Sequence, residues 1–292
     1  MNTSGIDPCI LNSWHVVSTV GDVPPQKIKR TRLLGKAIAV TQVASGEATA
    51  WLDNRNDSGP PADPGARLPT MVQHGHIWVS LGNPKPDLFA IPELTESGRC
   101  TIWAASIGVH TSAPRMVENF LDIGHLPFVH TGILGSETHT EVREYEAEVS
   151  AERDEILVNC LIYLPKASPR AAAAADVPHV YRVPHPYCTM LYKASPLDPQ
   201  RMDIIAMFVQ PLEQEDACAH VLVSRIDDQS DEMGSRAFQL TIFGQDKPII
   251  ENQTPKRLPL NPRAEMPVRS DAASLAYRRW LREKNVTYGT VS

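Results

Sequence analysis

The 292-residue chain has only five cysteines, at 9, 100, 160, 188 and 218. A scattered, odd-numbered set builds no disulfide framework and suits a reducing cytoplasm. Positive charge is also short, with 28 Lys+Arg against 34 Asp+Glu and a formal net charge of -6. That leaves no basic footprint for nucleic acid and no polybasic arm for a membrane. No apolar run approaches the length that spans a bilayer, and Met1–Ile10 lacks the apolar core of a signal peptide. A cytoplasmic location is expected. Glycine is scarce beside proline, 16 against 25, which points to many short, stiffened connections. There is no internal repeat, and the length allows one large domain or two unequal ones.

What the chain does have is concentrated in Val117-Glu118-Asn119-Phe120-Leu121-Asp122-Ile123-Gly124-His125-Leu126-Pro127-Phe128-Val129-His130. Two histidines, an aspartate and an asparagine stand among apolar residues. Ionisable groups are costly against a core unless something pairs with them. Thr111-Ser112-Ala113-Pro114 supplies a hydroxyl cap and a proline tolerated in a first turn. A helix is expected from there to about Leu126, with Asp122 and His125 on one face. Pro127 should end or bend it, which lets His130 rejoin His125. Two imidazoles and a carboxylate turned inward are explained most economically by a bound metal, in the two-histidine-one-carboxylate pattern of non-haem iron(II) oxygenases. Asp122 is placed to orient His125 from the second rank.

The third ligand must come from elsewhere. Asp246, after a helix expected over Ser235–Phe243, is the candidate, and from spacing alone Glu251 is nearly as good. His74 and His76 read as ordinary strand neighbours. Cys218-Ala219-His220 resembles half of an iron–sulfur ligand set, but no cysteine follows residue 218, so strand residues are expected. Arg278-Arg279 reads as a solvated helix face.

Around these motifs, β-like runs fall at Trp14–Val17, Arg32–Val40, Ala48–Leu52, Thr70–Gln73, His76–Leu81, Thr101–Val109, Glu141–Val149, Glu155–Leu164, Tyr187–Lys193, Met202–Gln210 and Cys218–Arg225. Asn54–Gly65 and Lys166–Ala175 read as loops, the second able to serve as a lid. Ala272–Lys284 reads as a closing helix, packing Leu275, Trp280 and Leu281 with Arg278, Arg279 and Arg282 outside. The sum is an antiparallel sheet flanked by helices, an α+β pattern.

Glu118–His130 resembles the mononuclear-iron motif of Rieske-type ring-hydroxylating and demethylating oxygenases, N-x2-D-x2-H-x4-H, matched by Asn119, Asp122, His125 and His130. The likeness extends to Asn12–Val17, to His76–Pro84, to Gln245-Asp246-Lys247 with Glu251 and Gln253, and to Arg269–Trp280, which is similar to the terminal helix of the vanillate-demethylase branch. The resemblance implies a helix-grip (START-like) catalytic domain over 96–292 and a Rieske-like β region over 1–95. It implies mononuclear Fe(II) held by His125, His130 and Asp246, which it favours over Glu251. Asn119 would lie near the iron, and Phe243 would line the pocket.

Such oxygenases also carry a [2Fe–2S] cluster on C-x-H and C-x2-H. Those ligands belong after Leu52–Arg55, where Asn56–Arg67 has no cysteine and no histidine. The N-terminal region is therefore expected to be degenerate and clusterless. In the family the residue matching Asp122 bridges an iron ligand to a neighbouring subunit's cluster, so its presence implies a cluster on a partner. In its size and its missing lobe the chain resembles one clusterless oxygenase of this design, an N-demethylase of methylxanthines. That implies a Rieske-containing NAD(P)H reductase, a trimer or hetero-complex with room for a further structural subunit, and conversion of 7-methylxanthine to xanthine and formaldehyde. An O-demethylase or ring hydroxylase of the same branch is the nearest alternative, and a metal-free binding or scaffold subunit the alternative of another class.

Overall fold

The computed structural model describes residues 5–43, 46–53, 60, 66–165, 173–226 and 232–292. The loop expected over 54–65, all but Pro60, and most of the loop or lid expected over 166–175 lie outside the described residues. Helix α1 (Pro8–Leu11) leads into β1 (His15–Thr19), β2 (Ile28–Leu33), β3 (Lys36–Gln42), β4 (Ala48–Leu52), β5 (Arg67–Leu68), β6 (Thr70–Gln73) and β7 (His76–Val79). Strands β2 to β5 form one sheet in that order, and β1, β7 and β6 form another. The run Arg32–Val40, expected as one strand, reverses in its middle. Leu34 and Gly35 make a two-residue turn that closes Leu33 onto Lys36, with φ of 50° and 76°. A hairpin turn that matches strand twist needs positive φ at both positions, and Gly35 adopts it without steric cost.

A seven-stranded sheet holds the rest of the chain together. It contains β8 (Arg99–Val109), β9 (Glu146–Ser150), β10 (Glu155–Leu164), β11 (Ala175–His185), β12 (Cys188–Ala194), β13 (Met202–Pro211) and β14 (Ala217–Ile226). Their order is β8-β14-β13-β12-β11-β10-β9, antiparallel throughout. The sequence gives no sign of β11 because Pro178 and Pro184 interrupt it, and a proline cannot donate to a ladder. Both fall where the ladder to β12 makes no demand. Pro178 lies just beyond its last pair, His179 with Lys193, and Pro184 lies in the irregularity between Arg182 and His185.

The centre of the sheet is covered on both faces, which is why β13 is an apolar run rather than an alternation. Its residues Ile204, Ala206 and Phe208 pack with Trp14, Val16 and Trp78 of the N-terminal strands. Ile205 and Met207 turn to the opposite face. That face meets helices α2 (Ala113–Leu121), α3 (Leu126–Val129), α4 (Glu232–Asn252) and α5 (Ala272–Glu283), and a short parallel pair, β15 (Leu258–Pro259) with β16 (Thr290–Val291), lies near the C-terminus.

Arg278 departs from expectation. Arg279 is exposed, but Arg278 is buried and bonds Glu118 of α2 through Nε at 2.5 Å and Nη2 at 2.9 Å, and also Glu265. Arg115 joins the same carboxylates, at 3.2 Å to Glu118 and 2.6 Å to Glu265. Burial raises the Glu118 carboxyl even though two guanidinium groups pull it down. This cluster fixes α5 to α2. Helical periodicity cannot reveal it, because the partners come from distant segments.

Candidate metal centre

An interruption in the helix builds the centre. Helix α2 ends at Leu121, five residues short of the expected stop, with Ser112 at its N-cap but no bond from the Ser112 hydroxyl. Asp122 is the C-cap, extended at ψ 114°, with its N–H bonded back to the Glu118 carbonyl at 3.0 Å. Its Oδ1 accepts the Gly124 N–H at 2.8 Å and so holds the turn. Helix α3 follows as a single turn, with His125 at its N-cap and His130 at its C-cap. The N–H groups of Val129 and His130 bond the carbonyls of His125 and Leu126 at 2.8 and 3.1 Å. Pro127 therefore opens a short helix rather than ending a long one, at a position where its missing N–H is no loss. Asp122 and His125 meet across a turn, not along one helical face.

Helix α4 brings the third group. It runs for 21 residues straight through Pro248, and Asp246 lies within it rather than after it. The sequence reading stops that helix at Phe243 because Gly244 and Pro248 both weaken it; packing against β8 keeps it going.

His125 Nε2 and His130 Nε2 are 3.3 Å apart, and Asp246 Oδ1 is 3.4 and 3.1 Å from them. A first-row divalent ion with nitrogen and oxygen ligands at about 2.1 Å spaces its cis ligands by about 3 Å. The triangle has that size. Asp246 Oδ1 is buried with no hydrogen bond aligned on it. A buried carboxylate oxygen of this kind beside two imidazole nitrogens is a donor set suited to a cation. Glu251 is engaged elsewhere, accepting from the His110 backbone N–H at 2.9 Å and from Lys247 Nζ at 2.8 Å.

The outer contacts set the state of each ligand. His130 Nδ1 donates to Gln245 Oε1 at 2.8 Å, which leaves the Nε2 lone pair for the centre. Gln245 was not picked out as a site residue, although it directly precedes Asp246. Asp122 Oδ2 is 3.3 Å from His125 Nδ1, within ion-pair range but off the hydrogen-bond direction. Burial pulls the His125 imidazole down, but the carboxylates of Asp122 and Asp246 override it and hold it up to about 9. Burial raises Asp246, and the two histidines more than offset this, leaving it below the usual carboxylate range.

A cavity opens beside the triangle. Its walls are largely apolar, including Met116, Phe120, Ile162, Met207 and Phe243. Asn119 lines it and also a second recess that it shares with Asp122. Apart from Asn119 and the His125, His130 and Asp246 group, the polar lining is His179, Tyr181, Lys193 and Gln239, none of which carries a sequence motif. His74 and His76 lie away from this site, with His74 in a turn rather than a strand and His76 buried and bonded to the His74 carbonyl. His220 is a strand residue bonded to Ser106 and Gln210.

Residues 109–285 match the vanillate O-demethylase oxygenase C-terminal domain. The chain belongs to that family. Members are Rieske-type non-haem iron oxygenases, so the family implies non-haem iron, and His125, His130 and Asp246 form a group that could hold a metal ion. A probable methylxanthine N7-demethylase of Pseudomonas sp. (strain TJI-51) is 43% identical over 282 residues, 96% of each chain. A methylxanthine N3-demethylase of Pseudomonas putida is 28% identical over 74% of this chain and 59% of its own length. Among solved structures, NdmA of Pseudomonas putida CBB5 with caffeine superposes with a TM-score of 0.74 at 19% identity, over 93% of this chain and 90% of that one. Dicamba monooxygenase bound to 3,6-dichlorosalicylic acid also reaches 0.74, at 16% identity over 94% and 98%. The oxygenase family, the α+β fold and monooxygenase chemistry of the demethylase kind all agree with the sequence reading.

Proposed function

We propose that this chain is the oxygenase component that N-demethylates a methylxanthine, turning 7-methylxanthine into xanthine and formaldehyde. The balance is 7-methylxanthine + O2 + NAD(P)H + H+ giving xanthine + formaldehyde + water + NAD(P)+. The observation that carries the reading is the pre-formed triangle of possible ligands beside an apolar cavity, in a chain that aligns over 96% of its length with a probable N7-demethylase.

His125, His130 and Asp246 would hold the iron. Bound Fe(II) supplies the O2 activation that oxidises the N-methyl carbon, and the N-hydroxymethyl product then breaks down to formaldehyde. Gln245 keeps His130 in the tautomer that presents Nε2. The apolar walls keep water away and hold a flat heterocycle by contact, with few polar groups to orient it. Asn119 lies between this cavity and the recess of Asp122.

The electrons come from outside. No cysteine or histidine occupies 56–67, so residues 1–95 are read as a clusterless Rieske remnant and 96–292 as the catalytic domain. The cluster belongs to a partner, a Rieske-containing NAD(P)H reductase, within an oligomer. Asp122 is the entry point: its side chain is 35% exposed and lines a surface recess with His125, Phe128 and Val268. Phe128 and Val268 are both exposed, as suits a contact surface.

Anaerobic iron reconstitution followed by turnover with a Rieske-bearing reductase tests the reading. Formaldehyde and xanthine should form in equal amounts from 7-methylxanthine. Turnover of methoxybenzoates instead would move the chain to the O-demethylases. Failure to bind iron would reduce it to a scaffold.

A further inference from the structure

The proposed chemistry uses His125, His130 and Asp246 and leaves other polar groups of the cavity unexplained. His179 on β11 and Lys193 on β12 are directly paired across the ladder, and both line the cavity. His179 is 4% exposed. Its Nδ1 donates to the carbonyl of Val177 on its own strand at 2.8 Å. That bond fixes the tautomer, so Nε2 is a lone-pair acceptor, and no group among the described residues bonds it. Burial, reinforced by the charge of Lys193, lowers the imidazole to about 4, so it stays an acceptor at neutral pH. The ammonium of Lys193 has three donors and can hold a protein partner while offering another to a ligand.

A neutral acceptor beside a cationic donor complements a ring N–H next to a carbonyl, the edge of a lactam or cyclic imide. We infer that His179 and Lys193 form the specificity end of the cavity, His179 Nε2 accepting a ring N–H and Lys193 Nζ donating to the adjacent carbonyl oxygen. This rests on the reading of the substrate as a methylxanthine and sharpens it. A xanthine with its N-methyl carbon at the metal end would present the far edge of its six-membered ring here. That edge offers an N–H beside a C=O only when at least one of its ring nitrogens carries no methyl group. A methylated edge would put a methyl against His179 and leave a buried acceptor unpaired, a loss that a site built for a hydrogen bond punishes heavily. The enzyme therefore selects monomethylated xanthines over fully methylated ones.

Titration calorimetry of the metal-loaded full chain with 7-methylxanthine and with 1,3,7-trimethylxanthine tests this without turnover. Wild type should bind the first at least about tenfold more tightly. His179→Leu should bring the two affinities within about threefold, mainly by weakening 7-methylxanthine. Lys193→Met should weaken it as well, and His179→Gln, which keeps an acceptor, should retain part of the preference. If His179→Leu fails to fold, the Lys193→Met and His179→Gln pair carries the test. Equal affinities in wild type, or an unchanged ratio in the variants, would overturn the assignment. Preferential binding without formaldehyde release would refute the demethylase reading and leave this one standing.

Discussion

Gly135 is the position where one methyl group should reach the metal centre without touching a ligand. It is buried, and a Cβ placed on it would lie 2.6 Å from both N and Cα of Pro127 and 2.7 Å from the Leu126 carbonyl carbon. Carbon contacts are comfortable at about 3.5–4.0 Å, so the backbone of α3 must retreat by about 1 Å. His125 precedes Pro127 by two residues and His130 follows it by three, so both imidazoles ride on the displaced turn. Overpacking of this kind costs about 1–3 kcal/mol. The ligand triangle, now 3.1 to 3.4 Å on a side, should open as well. Gly135→Ala should therefore lose stability in urea and, in anaerobic Co(II) titration, bind metal about tenfold or more weakly. Gly132→Ala separates the two effects. A Cβ there meets nothing within 4 Å, but φ is 79°. It should lose about 1–2 kcal/mol through left-handed strain and keep its metal affinity. Wild-type metal affinity in Gly135→Ala would refute the reasoning, because it would mean that α3 can shift without opening the triangle.

Four other outcomes follow from the same geometry. Gln245→Leu removes the acceptor that orients His130 and should weaken metal binding about 10–100-fold with little change in urea stability, read by the same Co(II) titration. Asp122→Asn should keep most of its iron by elemental analysis yet stop turnover with the reductase; normal turnover would remove Asp122 from the electron route. Arg278→Met leaves Glu118 buried with one cation fewer and should cost about 3–5 kcal/mol; a loss under about 1 kcal/mol by denaturation would show that Arg115 suffices alone. The last concerns pH. His125 is raised to about 9 in the folded, metal-free protein, so its stabilisation is complete below the unfolded value of about 6.5 and fades as pH rises towards 9. Metal-bound His125 has already lost that proton. The urea midpoint of the metal-free protein should fall between pH 6.5 and 9 while the Co(II) form holds steady, and parallel curves would count against the assignment.

The reach of the sequence can be judged residue by residue. His125 and His130 stand out because imidazoles among apolar neighbours have few other uses, whereas residue spacing left Asp246 and Glu251 nearly equal and only the family resemblance favoured Asp246, the one whose Oδ1 lies 3.4 and 3.1 Å from the two imidazoles. The central strands β13 and β14 were legible because burial on both faces demands continuous apolar runs, and β10 because its apolar residues alternate with exposed ones. Strand β11 was hidden because two prolines mimic a loop, and only the ladder shows that neither is asked for a donor. Arg278 was misread because a helix pattern records which way a side chain points but not which carboxylates wait there. The long helix to Leu126 failed because the Gly124 N–H bond to Asp122 is a local competitor that helical periodicity does not weigh.

What the sequence determined by itself was the chemistry: which residues could ligate a metal, the oxygenase family they mark, and the absence of cysteine and histidine where a cluster would attach. These follow from residue identity and spacing, which need no coordinates. The tertiary structure decided the geometry. It closed three potential ligand atoms from a one-turn helix and a distant long helix to within 3.4 Å, set Gln245 behind one of them, and paired His179 with Lys193 across the β11–β12 ladder. Those pairings arise from strand register and helix packing, which spacing along the chain does not record.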